Sequence, residues 1–197
     1  MTCSLYRLAN ADIDKLIEDP RELDRMLGFD QGPPVREVRP KGILGFLLRL
    51  TPITISEVDP DAAESSYEVD PEKTIDVEKA WHGLHFLLTG TSEEGTPPAS
   101  YLLNGGEDVD DEGLTRAIRP EHVKHFAEFL DELNPEILAK RFDPGRMMEL
   151  EIYPEIWDRD PSEDDTLQWL LSYFVDLKVF VKRVAKAGDG LVIHTST

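Results

Sequence analysis

The sequence predicts an α+β domain, rich in helix, with a small mixed sheet that includes strands from both ends of the chain. Three observations carry this. Cys3 to Leu8 alternate apolar and polar side chains at the two-residue period of a strand. The segment Thr166 to Ala187 places Leu167, Leu170, Leu171, Phe174, Leu177, Val181 and Val184 at helical spacing. Gly188-Asp189-Gly190 then turns into a closing strand, Leu191 to His194.

Between those ends the elements follow from local chemistry. Asn10 suits the cap of a helix over Ala11 to Glu18, where Ile13, Leu16 and Ile17 share a face, and Pro20 stops it or opens the next turn. Gly28 to Gly42 carries Gly32, Pro33, Pro34 and Pro40 and reads as loop. Ile43 to Leu50 fits a strand or a short buried helix. From Glu57 to Glu72 seven acids occur with no Lys or Arg among them, which predicts a solvated surface excursion. The segment Val77 to Gly90 reads as an amphipathic helix: Val77, Ala80, Trp81, Leu84, Leu87 and Leu88 gather on one side, and Gly90 suits its left-handed stop. Asn104-Gly105-Gly106 forms a turn, and Thr115 to Arg119 fits a short strand. Pro120, Pro135 and Pro144 each occupy a favoured first-turn position, the last two behind Asn134 and Asp143 as caps; the third of these helices should end near Ile152-Tyr153-Pro154.

With 197 residues the chain can fill one core well, so residues 1–197 are expected to form a single domain with the acidic excursion at about 57–72 on its surface. Hydrophobic residues at 40% and charged residues at 31% place it among globular proteins. No apolar run approaches the roughly 18 residues of a membrane span. The first residues show no basic region followed by an apolar one, and Cys3 is the sole cysteine, so a reducing cytoplasmic setting is expected. Forty acids against 21 bases give a net charge of −19. Such a field repels phosphate backbones and argues against nucleic acid, while it favours a basic protein partner.

Few residues offer chemistry. Glu78, His82 and His85 fall within one sector of the expected Trp81 helix, a thinkable Glu-His-His metal set that lacks the His-Glu-x-x-His spacing of zinc peptidases. On the same helix Glu78 and His82 face away from the apolar stripe, toward solvent. His85 sits at the border of that stripe beside Trp81, the position of a packed histidine or of a general base. His122 and His125 form a second pair with no acid one turn away, better explained by hydrogen bonding or exposure. Asp108 to Gly113 imitates the start of a calcium loop, but Arg119 stands where the bidentate glutamate is required. No Gly-x-Ser-x-Gly elbow, phosphate loop or dinucleotide fingerprint occurs, so no cofactor is called for. Tyr153 and Trp157, beside Pro154, can line a pocket or pack their loop onto the domain.

The run Lys79-Ala80-Trp81-His82-Gly83-Leu84-His85-Phe86-Leu87-Leu88-Thr89-Gly90 resembles the hallmark segment of the YfbM-like family, domain of unknown function 1877. The opening strand and helix, Glu151-Ile152-Tyr153-Pro154 with Trp157, and the closing helix with its glycine turn and strand agree. The resemblance spans most of the chain. It implies a small bacterial cytoplasmic protein of mixed α+β fold and no particular activity. For a site shared with that family, it points to Trp81, His85, Thr89, Tyr153 and Trp157. Two function classes fit these readings. One is a non-catalytic module, an acidic antagonist of a basic protein. The other is an enzyme or small-ligand binder with a pocket around His85.

Overall fold

A computed structural model describes residues 1–27, 35–38, 55–58 and 70–196. In chain order the elements begin with β1 (Thr2–Leu8), α1 (Asn10–Glu18), a 3-10 turn at Pro20–Glu22, α2 (Leu23–Leu27), β2 (Val35–Val38) and β3 (Ile55–Val58). They continue with β4 (Thr74–Glu78), α3 (Trp81–Thr89), β5 (Glu107–Asp108), β6 (Thr115–Ile118) and α4 (Pro120–Asp131). The last are α5 (Pro135–Ala139), α6 (Pro144–Glu149), α7 (Thr166–Ala187) and β7 (Gly190–Ser196).

Two compact units emerge. One comprises Met1–Pro20 with Asp70–Thr197, the other Arg21–Val69. In the smaller unit β2 and β3 pair antiparallel, Val35 opposite Val58. The loop expected over Gly28 to Gly42 thus contains a strand, because Val35 and Val38 outweigh the flanking prolines locally. Ile43 to Leu50 lies outside the described residues, as do 59–69 of the acidic excursion; Glu57 and Val58 belong to β3.

The larger unit is an α+β body around a five-stranded sheet in the order β4-β1-β7-β6-β5. Every pairing is antiparallel, so the sheet is not mixed. The two terminal strands lie side by side, Leu5 opposite Ile193 and Leu8 opposite Gly190, which fixes both ends of the described chain in the middle of the sheet. Strand alternation then assigns the faces. Cys3, Leu5, Leu191 and Ile193 join a core completed by Val123, Phe126 and Leu130 of α4 and by Leu170, Phe174, Leu177, Val181 and Val184 of α7. Val192, between Leu191 and Ile193, is equally buried but faces the other way.

Helix boundaries follow the expected signals where a cap defines them. Asn134 accepts from the Ile137 amide at 2.9 Å, Asp143 from Arg146 at 2.9 Å and Asp165 from Gln168 at 2.9 Å. Lys178 donates to the carbonyls of Asp131 (3.3 Å) and Leu133 (2.9 Å), closing the C-terminus of α4 against α7.

The helix expected from Val77 starts four residues later, at Trp81. Val77 is buried because it belongs to β4, whose Glu78 pairs with Cys3 of β1, and not because it lies on a helical face. Glu78 takes a left-handed φ of 46° while its amide is held by Asp76 at 2.7 Å, so the chain turns here before the helix begins. α3 is also buried nearly all round, with Trp81, Gly83, Leu84, His85, Phe86, Leu87 and Leu88 inside. Gly90 stops it at φ 80°.

Candidate functional site

α3 carries the residues the sequence singles out, and the fold distributes them in a way the helical wheel did not show. Glu78 is exposed on β4, and its carboxylate lies against the Tyr173 hydroxyl, whose pKa burial and then this contact push up to about 12. It is not beside the histidines. A Glu78-His82-His85 metal set is therefore not assembled, and no cluster of three metal-ligating side chains occurs among the described residues.

His82 is half-buried, with both ring nitrogens hydrogen-bonded. Its Nδ1 accepts the Tyr153 backbone N–H at 3.0 Å, which places the ring proton on Nε2, and Nε2 donates to the Ser92 carbonyl at 2.8 Å. The ring stacks on Trp81, with centroids 4.9 Å apart and planes within 10°. Tyr153 stacks on Trp81 as well, at 6.2 Å. One imidazole thus ties the start of α3 to two loops, around residues 92 and 153. Burial lowers its pKa, which the Ser92 carbonyl and then Glu93 oppose.

His85 is fully buried. Its Nε2 donates to the Glu94 carbonyl at 3.1 Å, and burial lowers its pKa to about 4. Thr89, one turn on, donates to the His85 carbonyl at 2.8 Å and accepts from the Thr91 amide at 3.2 Å. Asn104 adds a bond to the Glu93 carbonyl at 2.8 Å. Together these side chains fasten the turn after α3. Among the described residues two buried side-chain atoms have no partner: His85 Nδ1, an acceptor in this tautomer, and Trp81 Nε1, a donor.

Trp157 lies beneath the loop at 150–165, 1% exposed, and its Nε1 donates back to the Ile152 carbonyl at 2.6 Å. It reaches α3 at Gly83, where a Cβ would stand 2.6 Å from Trp157 Cη2 and 2.9 Å from Leu170 Cδ2. Only glycine allows that approach. Trp81, His82, Tyr153 and Trp157 are therefore brought together as a brace between α3 and the 150–165 loop. His85 and Thr89 face a different turn.

The brace supports a surface that residue-by-residue reading passes over. Between Glu149 and Asp165 the sequence has eight acids and one base, Arg159. Glu151, Glu155, Asp158, Asp160, Glu163 and Asp165 are exposed there, while Ile152 and Trp157 anchor the loop inward. Arg159 is occupied by Asp164. The charge run stands in the sequence, but only the inward packing of Ile152 and Trp157 shows it to be a held surface.

The family model described as Domain of unknown function (DUF1877) matches residues 1–194. The chain belongs to this family. Protein YfbM of Escherichia coli (strain K12) is 26% identical over 125 residues, 59% of this chain and 73% of that protein. The crystal structure of YfbM, a protein of unknown function from Escherichia coli, superposes with a TM-score of 0.64 at 18% identity, over 98% of each chain. That likeness shows the DUF1877 fold and no activity. No helix among the described residues is long and apolar enough to cross a membrane.

Proposed function

We propose that this DUF1877 protein is a non-catalytic cytoplasmic interaction module that docks onto a basic protein through the braced acidic loop at 150–165. The observation that carries the reading is the pairing of exposed Glu151, Glu155, Asp158 and Glu163 with an anchored underside, Ile152 and Trp157. An acidic surface held in one conformation attracts a basic partner without the entropy cost of ordering a flexible tail. The net charge of −19 adds long-range attraction to the same kind of partner.

Affinity chromatography at low and high salt, followed by direct titration of the retained protein, tests this. A basic partner should bind at low salt, weaken at least tenfold at high salt, and lose affinity for a Glu155→Gln, Asp158→Asn, Glu163→Gln variant. A partner that is not basic, or binding indifferent to salt and to these substitutions, counts against it.

A second reading, a ligand site at His85, is favoured by the unpartnered His85 Nδ1 and Trp81 Nε1, an acceptor and a donor one helical turn apart. It requires α3 to open, since His85 is fully buried. Ligand-induced shifts of the Trp81 indole N–H resonance would support it, and their absence across a fragment set would reject it.

A further inference from the structure

Away from the brace, a cavity of about 390 Å³ opens between the 97–107 segment, β6 and the first turns of α4. That volume is enough for a single-ring molecule. Pro97, Pro98, Tyr101 and Ala117 make its apolar side. Tyr101 is 4% exposed and sits edge-on to Phe126 at 5.4 Å. Its hydroxyl bonds to no described residue. Burial raises the phenol's pKa, so it remains a protonated donor at neutral pH. Solvent reaches this hydroxyl, which makes it a donor on the cavity wall that no described residue accepts from.

The other polar groups are already matched or stand at the mouth. Arg119 gives Nε to Glu107 Oε1 at 2.6 Å and Nη2 to Oε2 at 3.1 Å, and its Nη1 is taken by Asp14 and Asn10. Arg119 is therefore taken up by two carboxylates, Glu107 and Asp14, and offers no spare positive charge on the cavity wall. His122 and His125, exposed with ring centroids 6.4 Å apart, complete the rim. The walls are fixed in advance by Arg116, itself 6% exposed. Its guanidinium donates to the carbonyls of Tyr101 (3.2 Å), Gly105 (3.0 Å) and Leu102 (3.2 Å). Gly106 closes against β6, where a Cβ would stand 2.6 Å from the Ala117 carbonyl oxygen.

We infer that this cavity binds a neutral single-ring aromatic compound carrying a carbonyl oxygen, its ring against Pro97, Pro98 and Tyr101 and its oxygen accepting from the Tyr101 hydroxyl. Flat proline and tyrosine surfaces suit an aromatic ring. An anion is disfavoured because Arg119 already faces two carboxylates, Glu107 and Asp14, inside a strongly negative molecule. The inference is independent of the acidic loop and of any protein partner.

The test titrates benzamide and benzoate into the full chain, followed by NMR on the Tyr101, His122 and His125 ring protons. Benzamide is expected to saturate with shifts confined to these rings and Ala117, and benzoate to bind more weakly. Tyr101→Phe keeps the ring that packs on Phe126 and should weaken benzamide about fivefold, the value of one hydrogen bond. A rim variant, His125→Ala, leaves the core untouched and should alter the shifts without changing the fold. No saturable binding of benzamide, equal affinity for Tyr101→Phe, or tighter binding of benzoate overturns the inference.

Discussion

Replacing Gly83 with alanine tests the brace where it has least freedom. The new methyl would sit 2.6 Å from Trp157 Cη2, 3.1 Å from Cζ2 and 2.9 Å from Leu170 Cδ2. Leu170 is fully buried, and Trp157 is 1% exposed and tied to the Ile152 carbonyl at 2.6 Å, with Phe142 and Trp169 rings against it at 6.5 and 6.2 Å. Neither neighbour has room to yield without moving the 150–165 loop. Overpacking of this kind costs about 1–3 kcal/mol. Gly83 is the third residue of α3, in its first turn, so alanine returns only part of the helix propensity, about 1 kcal/mol, that an interior position would give. The net expectation is a loss of about 1–2 kcal/mol in urea unfolding, together with faster proteolysis within 150–165. A Gly83→Ala variant as stable as the parent, or more stable, would refute the contact between α3 and the loop.

His85 should make stability fall in acid. Its pKa is lowered from 6.5 to about 4, so below pH 6.5 the unfolded chain takes up a proton that the folded one refuses. The stability is fully present above pH 6.5 and is lost as pH falls toward 4. Urea titrations at pH 7.5 and 4.5 should show the parent losing about 2–3 kcal/mol more than His85→Gln, and equal losses would contradict this. Arg116→Met should cost about 3 kcal/mol, because the Tyr101, Leu102 and Gly105 carbonyls lose their buried donor, and a neutral result by the same assay would argue against that bonding. Cys3, fully buried with its thiol pushed up to about 12, should resist aromatic disulfide reagents until the chain unfolds; rapid labelling of the native protein would contradict the central place of β1.

Much of the larger unit was legible because its signals are local. Pro135 behind Asn134 and Pro144 behind Asp143 set two helix starts, and the apolar spacing of 166–187 matches α7 residue for residue. The start of α3 at Trp81 is not legible from local spacing. Val77 falls at helical spacing from Ala80 and Trp81, yet it is buried as part of β4, which pairs with the N-terminal strand more than 70 residues away, beyond any local window. Extending the helix back to Val77 likewise puts Glu78 beside His82 as a metal set, whereas Glu78 belongs to β4. His82 looked solvated on a wheel because its partners, the Ser92 carbonyl and the Tyr153 amide, arrive from other segments. Aromatic content draws attention to Trp81, Tyr153 and Trp157, which the fold packs between α3 and the 150–165 loop. Their role in anchoring an acidic loop depends on Gly83, whose missing side chain leaves no mark in a hydrophobic pattern.

Hydrogen exchange at the Tyr153 backbone amide tests the central claim most directly. This N–H donates to His82 Nδ1, so at neutral pH it should exchange as slowly as amides of α3, and a His82→Phe variant should exchange it at the rate of an open loop. Fast exchange of Tyr153 in the parent chain would show that the acidic loop is not held by α3, and the docking surface argued here would have no fixed shape.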